Sequence, residues 1–194
     1  ASRDFLEEGE ILIPLEKLYR RYTGESLAVK LAEFSEVTER IQYLTDEVEK
    51  ITELRDFGRY LTAMLEIDAF FLNEDRHTNN IAVIYQEKTQ QYALSPLFDQ
   101  GLCLLADMKV DYPLERPLET CLEHVEAKPF SADFDEQLEA AEALYGIQLQ
   151  FHFSLKEVQR ELEQIAEGYP EGVRERVNQL LRQQIRKYAY LIKA

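Results

Sequence analysis

The sequence predicts a mainly α-helical protein that contains one small β-hairpin. Over most of the chain apolar residues recur at helical spacing, as in residues 35–54. Two short segments rich in β-branched and aromatic residues, 81–85 and 91–94, flank a polar turn and predict the hairpin. With 194 residues, of which 45% are apolar, the chain is long enough for one domain with its own core.

The helix boundaries are indicated by residues that start or stop helices. Pro14 fits the first turn of the first helix, and Gly24 ends it. Ser154 and Glu157 have the spacing of a capping box, and Gly146 closes the helix before it. The sequence predicts helices over residues 14–22, 35–54, 53–71, 133–145, 154–167 and 171–192.

Three residues around the hairpin have the side chains that phosphoryl transfer needs. That reaction uses a carboxylate at the attacking hydroxyl, and an amide and a second carboxylate that hold Mg²⁺ on the phosphates. Asp75, Asn80 and Asp99 supply these groups in that order. Asp75 and Asn80 share one tight loop, and the hairpin brings Asp99 back beside it. We expect Gly101 to give the second loop its backbone freedom.

Two motifs in this segment resemble those of a known kinase family. Asp-Arg-His-x-x-Asn at residues 75–80 and Asp-x-Gly at 99–101 resemble the catalytic and metal motifs of the HipA-like kinases. The first is also similar to the corresponding loop of the phosphatidylinositol 3- and 4-kinases. Leu-Phe-Asp at 97–99, after a short hairpin, favours the HipA-like family. The resemblance covers about residues 66–105.

The resemblance implies a fold and a domain organisation. Residues 1–194 would form a single kinase-like C-terminal lobe, the large α-helical lobe of the protein-kinase-like fold. Its catalytic loop would be residues 73–80 and its metal loop residues 97–101, names that are kept below.

The resemblance also assigns roles to five residues. Asp75 is the general base, or orients the attacking hydroxyl. Asn80 and Asp99 bind Mg²⁺ and thereby the phosphates of ATP. His77 braces the catalytic loop, and Arg76 holds that loop or an acidic partner.

A competing interpretation treats these residues as ordinary loop residues. Polar loops with Asp, His and Asn are common, and any one of them alone is typical of a turn or cap. The joint pattern, in the required order, favours the kinase interpretation. Asp56-Phe57-Gly58 spells a metal motif of protein kinases, but it precedes the catalytic loop, so we interpret Asp56 as a solvated helix residue.

The small lobe of a kinase is not evident in this sequence. No Gly-rich phosphate motif occurs, and most of the 74 residues before Asp75 have a helical pattern. Lys17 and Lys30 are poor candidates for the phosphate lysine. Lys128 we interpret as a loop lysine, although in an active kinase it could meet an acidic substrate. We expect the small lobe in cis or in trans, and weak or no binding of ATP and Mg²⁺ by this lobe alone.

The charge and the apolar content of the sequence restrict the classes of partner that the protein can have. The net charge of −15 argues against nucleic acid and anionic membranes, and so against a phosphoinositide substrate. No apolar run reaches the length of a membrane span, and no signal peptide is evident, so we expect a cytoplasmic protein.

The expected function is Mg-ATP-dependent phosphoryl transfer to a Ser or Thr hydroxyl of a protein substrate, once a small lobe is supplied. One alternative is a non-catalytic helical interaction module, either a degenerate kinase lobe or a toxin–antitoxin component. Another is the lobe of a small-molecule or lipid kinase, which would share the same catalytic loop.

Overall fold

A computed structural model describes residues 5–193 and is mostly helical, with a small three-stranded antiparallel sheet. No helix among these residues is both long and apolar enough to cross a membrane. In chain order the elements are β1 (Glu10–Pro14), α1 (Leu15–Thr23), α2 (Leu27–Leu31), α3 (Val37–Thr52), α4 (Phe57–Phe71), β2 (Ala82–Gln86), β3 (Gln91–Leu94), α5 (Leu118–Leu122), α6 (Phe134–Tyr145), α7 (Leu155–Gln164) and α8 (Glu171–Lys187), followed by a 3₁₀ turn at Ala189–Leu191.

The predicted hairpin is the β2–β3 pair, and β1 adds a third strand that the sequence did not predict. β1 runs antiparallel to β2, with Glu10 opposite Gln86 and Pro14 opposite Ala82. The chain then turns directly into α1, where the N–H of Leu15 donates to the Ile81 carbonyl at 2.8 Å. The sheet therefore joins the start of the described chain to the strand that follows the catalytic loop.

Several helix ends follow the predicted capping residues, but other bounds differ: α3 spans Val37–Thr52 rather than 35–54, and α7 ends at Gln164 rather than at residue 167. The short helices α2 and α5 were not predicted. Gly24, at φ 82°, ends α1, and Ser154 with Glu157 forms the predicted capping box. The predicted 53–71 helix starts only at Phe57, because Glu53 adopts a left-handed conformation that ends α3. The last helix ends at Lys187 rather than near residue 192, where the chain tightens into the 3₁₀ turn.

α4 is the central helix, because it contributes to both hydrophobic clusters of the protein. Its first half, including Phe57 and Leu61, packs in one cluster with α1, α2 and α3. Its last turn, including Ala69 and Phe70, packs in the second cluster with α6 and α8. The catalytic loop thus leaves a helix that is fixed on both sides.

The Asp-Phe-Gly sequence at residues 56–58 has a packing role. Asp56 is exposed just before α4, whereas Phe57 is completely buried. A Cβ atom on Gly58 would lie 2.4 Å from Cε1 of Tyr145, so the ring of Tyr145 needs a glycine there. Asp56 is solvated, as interpreted, but it lies in the turn before α4 rather than within a helix.

Candidate active site

The catalytic loop begins where α4 ends. Leu72, at φ 53°, takes the left-handed conformation that terminates the helix. Within the loop the N–H of His77 donates to the Asp75 carbonyl at 2.9 Å, and the N–H of Asn80 donates to the His77 carbonyl at 2.8 Å. These bonds make the loop a compact double turn.

Arg76 fixes this loop to α4 through a buried ion pair with Asp68. Its Nε lies 2.7 Å from Oδ2 and its Nη2 lies 3.0 Å from Oδ1, and both side chains are completely buried. Burial raises the pKa of Asp68, and the guanidinium opposes that shift. A two-pronged pair of this kind fixes orientation as well as position.

The same guanidinium joins the catalytic loop to the metal loop. Nη1 of Arg76 donates to the Asn80 carbonyl at 2.7 Å and to the Phe98 carbonyl at 3.1 Å. A second link comes from Asn73, whose Nδ2 lies 3.3 Å from Oε1 of Gln100. The residues on either side of Asp99 are therefore both tied to the catalytic loop.

Asp75 is oriented by its neighbours in the loop. Nδ2 of Asn80 donates to the Asp75 carbonyl at 2.9 Å and approaches Oδ2 of its carboxylate at 3.3 Å. Oδ1 faces Nε2 of His77 at 3.8 Å and Nζ of Lys128 at 3.7 Å. Nδ1 of His77 accepts from the N–H of Asn79 at 3.2 Å, so this ring braces the turn.

Asp99 lies exposed in the metal loop with a left-handed backbone, at φ 55°. The expectation that Gly101 supplies the unusual backbone conformation is wrong, because Gly101 has no positive φ and Asp99 does. Asp tolerates this conformation better than most residues. Within residues 5–193 the Asp99 carboxylate makes no hydrogen bond and no ion pair.

The two predicted metal ligands have oxygens available for a cation. The amide nitrogen of Asn80 is used in the loop, whereas its Oδ1 accepts no hydrogen bond within residues 5–193. Over that range no group of three His, Cys, Asp or Glu side chains forms a complete metal site. Mg²⁺ is usually held by one or two carboxylates together with substrate phosphates. By the chemistry of their free oxygens, Asn80 and Asp99 would suit a Mg²⁺ ion that is also bound by substrate phosphates.

The catalytic loop also contacts the first helices of the described chain, through Glu16 in α1. Oγ1 of Thr78 donates to Oε2 of Glu16 at 3.2 Å, and the N–H of Glu16 donates to the Thr78 carbonyl at 3.3 Å. The same Oε2 accepts from the N–H of Ala28 at the start of α2, at 3.1 Å. One carboxylate thus connects α1, α2 and the catalytic loop.

The segment after the metal loop is held by the buried Arg176 of α8. Among residues 5–193 this guanidinium has no carboxylate partner, and it donates instead to the carbonyls of Tyr112, Pro113, Leu114 and Arg116 at 2.5–3.0 Å. The hydroxyl of Tyr112 donates to Oε1 of Glu74 at 2.6 Å. Burial, together with the Glu74 carboxylate, raises the pKa of the Tyr112 hydroxyl. This segment is thereby attached to the residue that precedes Asp75.

Two clefts border the catalytic loop, and Lys128 lines both of them. The first, of about 250 Å³, is lined by Glu74, Asp111, Tyr112, Arg116, His124, Glu126 and Lys128. The second, of about 210 Å³, is lined by Ala28, Leu31, Ala32, Arg40, His77, Thr78, Lys128 and Pro129. The first cleft therefore borders the catalytic loop at Glu74, and the second borders it at His77 and Thr78.

Several residues that organise this site were not predicted from the sequence. Asp68, Asn73, Glu74 and Arg176 act through contacts with distant parts of the chain, which no local pattern reveals. Only Asp68 gave a signal, because it interrupts the otherwise apolar run at residues 67–72. A charge in the middle of a buried helix end indicates a buried partner.

The fold is similar to that of a solved kinase. The crystal structure of the Helicobacter pylori proinflammatory kinase CtkA superposes with a TM-score of 0.61 and 15% sequence identity, over 95% of this chain and 70% of the other. This chain has a kinase-like fold. At this identity the likeness concerns the fold alone. No protein-family model and no curated protein sequence matches the chain.

Proposed function

We propose that the chain is the large lobe of a HipA-like kinase. With a small lobe it transfers the γ-phosphoryl group of ATP to a Ser or Thr hydroxyl of a protein. The observation that carries this proposal is the attachment of both neighbours of Asp99 to the catalytic loop, through Arg76 and Asn73, in a chain with a kinase-like fold. The order of the motif residues supports the HipA-like assignment.

The residues of the two loops divide the chemical work. Asp75 accepts or orients the proton of the acceptor hydroxyl, and Asn80 holds its carboxylate in place. Asn80 Oδ1 and the Asp99 carboxylate would hold Mg²⁺, which would supply positive charge to neutralise the phosphates. His77 and Arg76 position these groups: His77 braces the turn, and Arg76 holds the two loops together.

The small lobe is supplied in cis or in trans in this proposal. The ring of Phe5 lies 6.4 Å from that of Phe98, next to Asp99, so the start of the described chain is beside the metal loop. A small lobe near this point would cover the nucleotide from its second side. The lobe alone is therefore expected to bind Mg-ATP only weakly.

The metal site can be tested with Mn²⁺, which prefers the same oxygen ligands as Mg²⁺. Titrating the isotope-labelled chain with Mn²⁺–ATP at millimolar concentration should broaden amide signals first at residues 75–80 and 97–101. Asp99→Asn should abolish this local broadening. Asp56→Asn removes the same charge elsewhere and should leave it intact. Broadening spread over the acidic helices, or unchanged in Asp99→Asn, would contradict the assignment of the metal ligand.

A further inference from the structure

Lys128 contacts Asp75 of the catalytic loop, and the local sequence around Lys128 does not predict this contact. Its Nζ lies 3.7 Å from Oδ1 of Asp75, with half of the lysine side chain exposed. It also lines both of the clefts that border the catalytic loop, one at Glu74 and the other at His77 and Thr78. An exposed ion pair usually contributes little to stability, so stability is a weak reason for this contact.

The backbone that carries Lys128 is held firmly. The N–H of Ala127 donates to the Ala132 carbonyl at 2.8 Å and closes the turn on its two sides. Phe130 is completely buried, and its carbonyl accepts from Nη1 of Arg40 at 2.6 Å. The N–H of Glu126 donates to Oε1 of Glu74 at 3.3 Å, directly before Asp75. The segment is thus attached both to the core and to the catalytic loop.

The carboxylate of Asp75 is consequently contacted on both oxygens. Oδ2 faces the amide of Asn80 at 3.3 Å, and Oδ1 faces the ammonium of Lys128 at 3.7 Å. Nε2 of His77 also faces Oδ1, at 3.8 Å, while Nδ1 of the same ring accepts from the N–H of Asn79 within the turn. Of these three groups, Lys128 alone reaches Asp75 from outside the catalytic loop.

We propose that Lys128 is a positioning residue for Asp75: its fixed positive charge beside Oδ1 holds the carboxylate in one orientation. The proposal rests on the phosphotransferase function proposed above and adds a residue to that site. Lys128 acts by orientation: it keeps the carboxylate in one rotamer while the acceptor hydroxyl approaches. Such pre-orientation accelerates a reaction without tighter binding of the substrates.

The test measures phosphoryl transfer by the chain together with its small lobe, for Lys128→Met and Lys128→Arg. Lys128→Met should lower kcat by roughly 10–100-fold, with the KM for ATP and for the acceptor unchanged within about threefold. Lys128→Arg keeps the charge and should recover most of the rate. Lys156→Met removes an exposed lysine of α7 and should behave as the wild type. Because Lys128 is half exposed, its variants should keep the wild-type unfolding midpoint.

The outcomes separate the two proposals. No transfer by the wild-type protein overturns the proposed function, and the role of Lys128 with it. Transfer at an unchanged kcat in Lys128→Met, a change confined to KM, or equal loss in Lys128→Arg and Lys128→Met overturns the role of Lys128 alone.

Discussion

Arg76 is the residue on which the arrangement of both loops depends. Its guanidinium pairs with Asp68 inside the protein and holds carbonyls of both loops. Removing one partner of a buried pair leaves the other charge without compensation, which typically costs about 3–5 kcal/mol. We therefore expect Arg76→Met to lower the free energy of unfolding by about that amount, measured by urea denaturation.

The matched control is Arg160→Met, which breaks the exposed ion pair with Glu161. Because water screens such pairs, its urea midpoint should hardly change. An Arg76→Met protein as stable as Arg160→Met would show that the buried pair does not hold the loops.

Glu66 gives the protein a pH dependence that can be measured. It is completely buried in α4 and accepts the backbone N–H groups of Gln148 and Leu149 at 2.7 Å each. Burial raises the pKa of Glu66 to about 7. The two backbone hydrogen bonds act to lower this pKa, and the nearby charge of Glu142 raises it further. The folded state thus retains this proton to higher pH than the unfolded state. The stabilisation from protonated Glu66 is full below its ordinary pKa and is lost as the pH rises through about 7.

Glu66→Gln should remove that part of the pH dependence. Between pH 5 and pH 8 the wild type should lose on the order of 2 kcal/mol more stability than the variant. Burial also raises the pKa of Glu142, and this residue is present in both proteins. Urea midpoints across this pH range provide the measurement, and parallel curves for the two proteins would contradict the assignment.

α4 owes its close contact with α6 to a glycine. At Gly58, its second residue, a Cβ would lie 2.4 Å from the ring of Tyr145. Overpacking of this kind typically costs about 1–3 kcal/mol, so Gly58→Ala should destabilise the protein by that amount. Thermal or urea unfolding measures the change.

α8 offers the matched control, since Gly172 is its second residue too. There a Cβ would lie 3.5 Å from Cδ1 of Leu114, which is an ordinary contact. Alanine has the higher helix propensity, so Gly172→Ala should be neutral or slightly stabilising. If both variants lose stability equally, the ring of Tyr145 is not the reason for Gly58.

Helices and the hairpin were predictable because their signals are local. The Ser154–Glu157 capping box and Gly24 marked helix ends that the structure has. β1 was missed because its partner, β2, lies about 70 residues away and no local pattern specifies that pairing. At the end of α8, the Tyr188 hydroxyl donates to Asp135 at 2.7 Å, which is again a contact between residues far apart in sequence.

At the scale of the whole molecule, the candidate site residues could be named from the sequence, whereas the contacts that hold their loops could not. Asp75, Asn80 and Asp99 could be named from their order and spacing, and their roles stay predictions. The contacts that hold their loops come from α4, from α8 and from the segment of Lys128, which are far apart in sequence. Spacing along the chain carries no information about such contacts, and only folded packing reveals them.

The central claim is that Asp75 and Asp99 serve one phosphoryl-transfer site. It is tested most directly by the rate of transfer from ATP to a protein acceptor as Mg²⁺ is raised, using the chain with its small lobe. Asp75→Asn should lose about 10²–10⁴-fold in rate without rescue by Mg²⁺, because its metal site is intact. Asp99→Asn should lose activity but recover partly at high Mg²⁺. Asp56→Asn should transfer phosphate at the wild-type rate. If Asp56→Asn is inactive while Asp99→Asn has normal activity, the assignment of Asp99 to the phosphoryl-transfer site is contradicted.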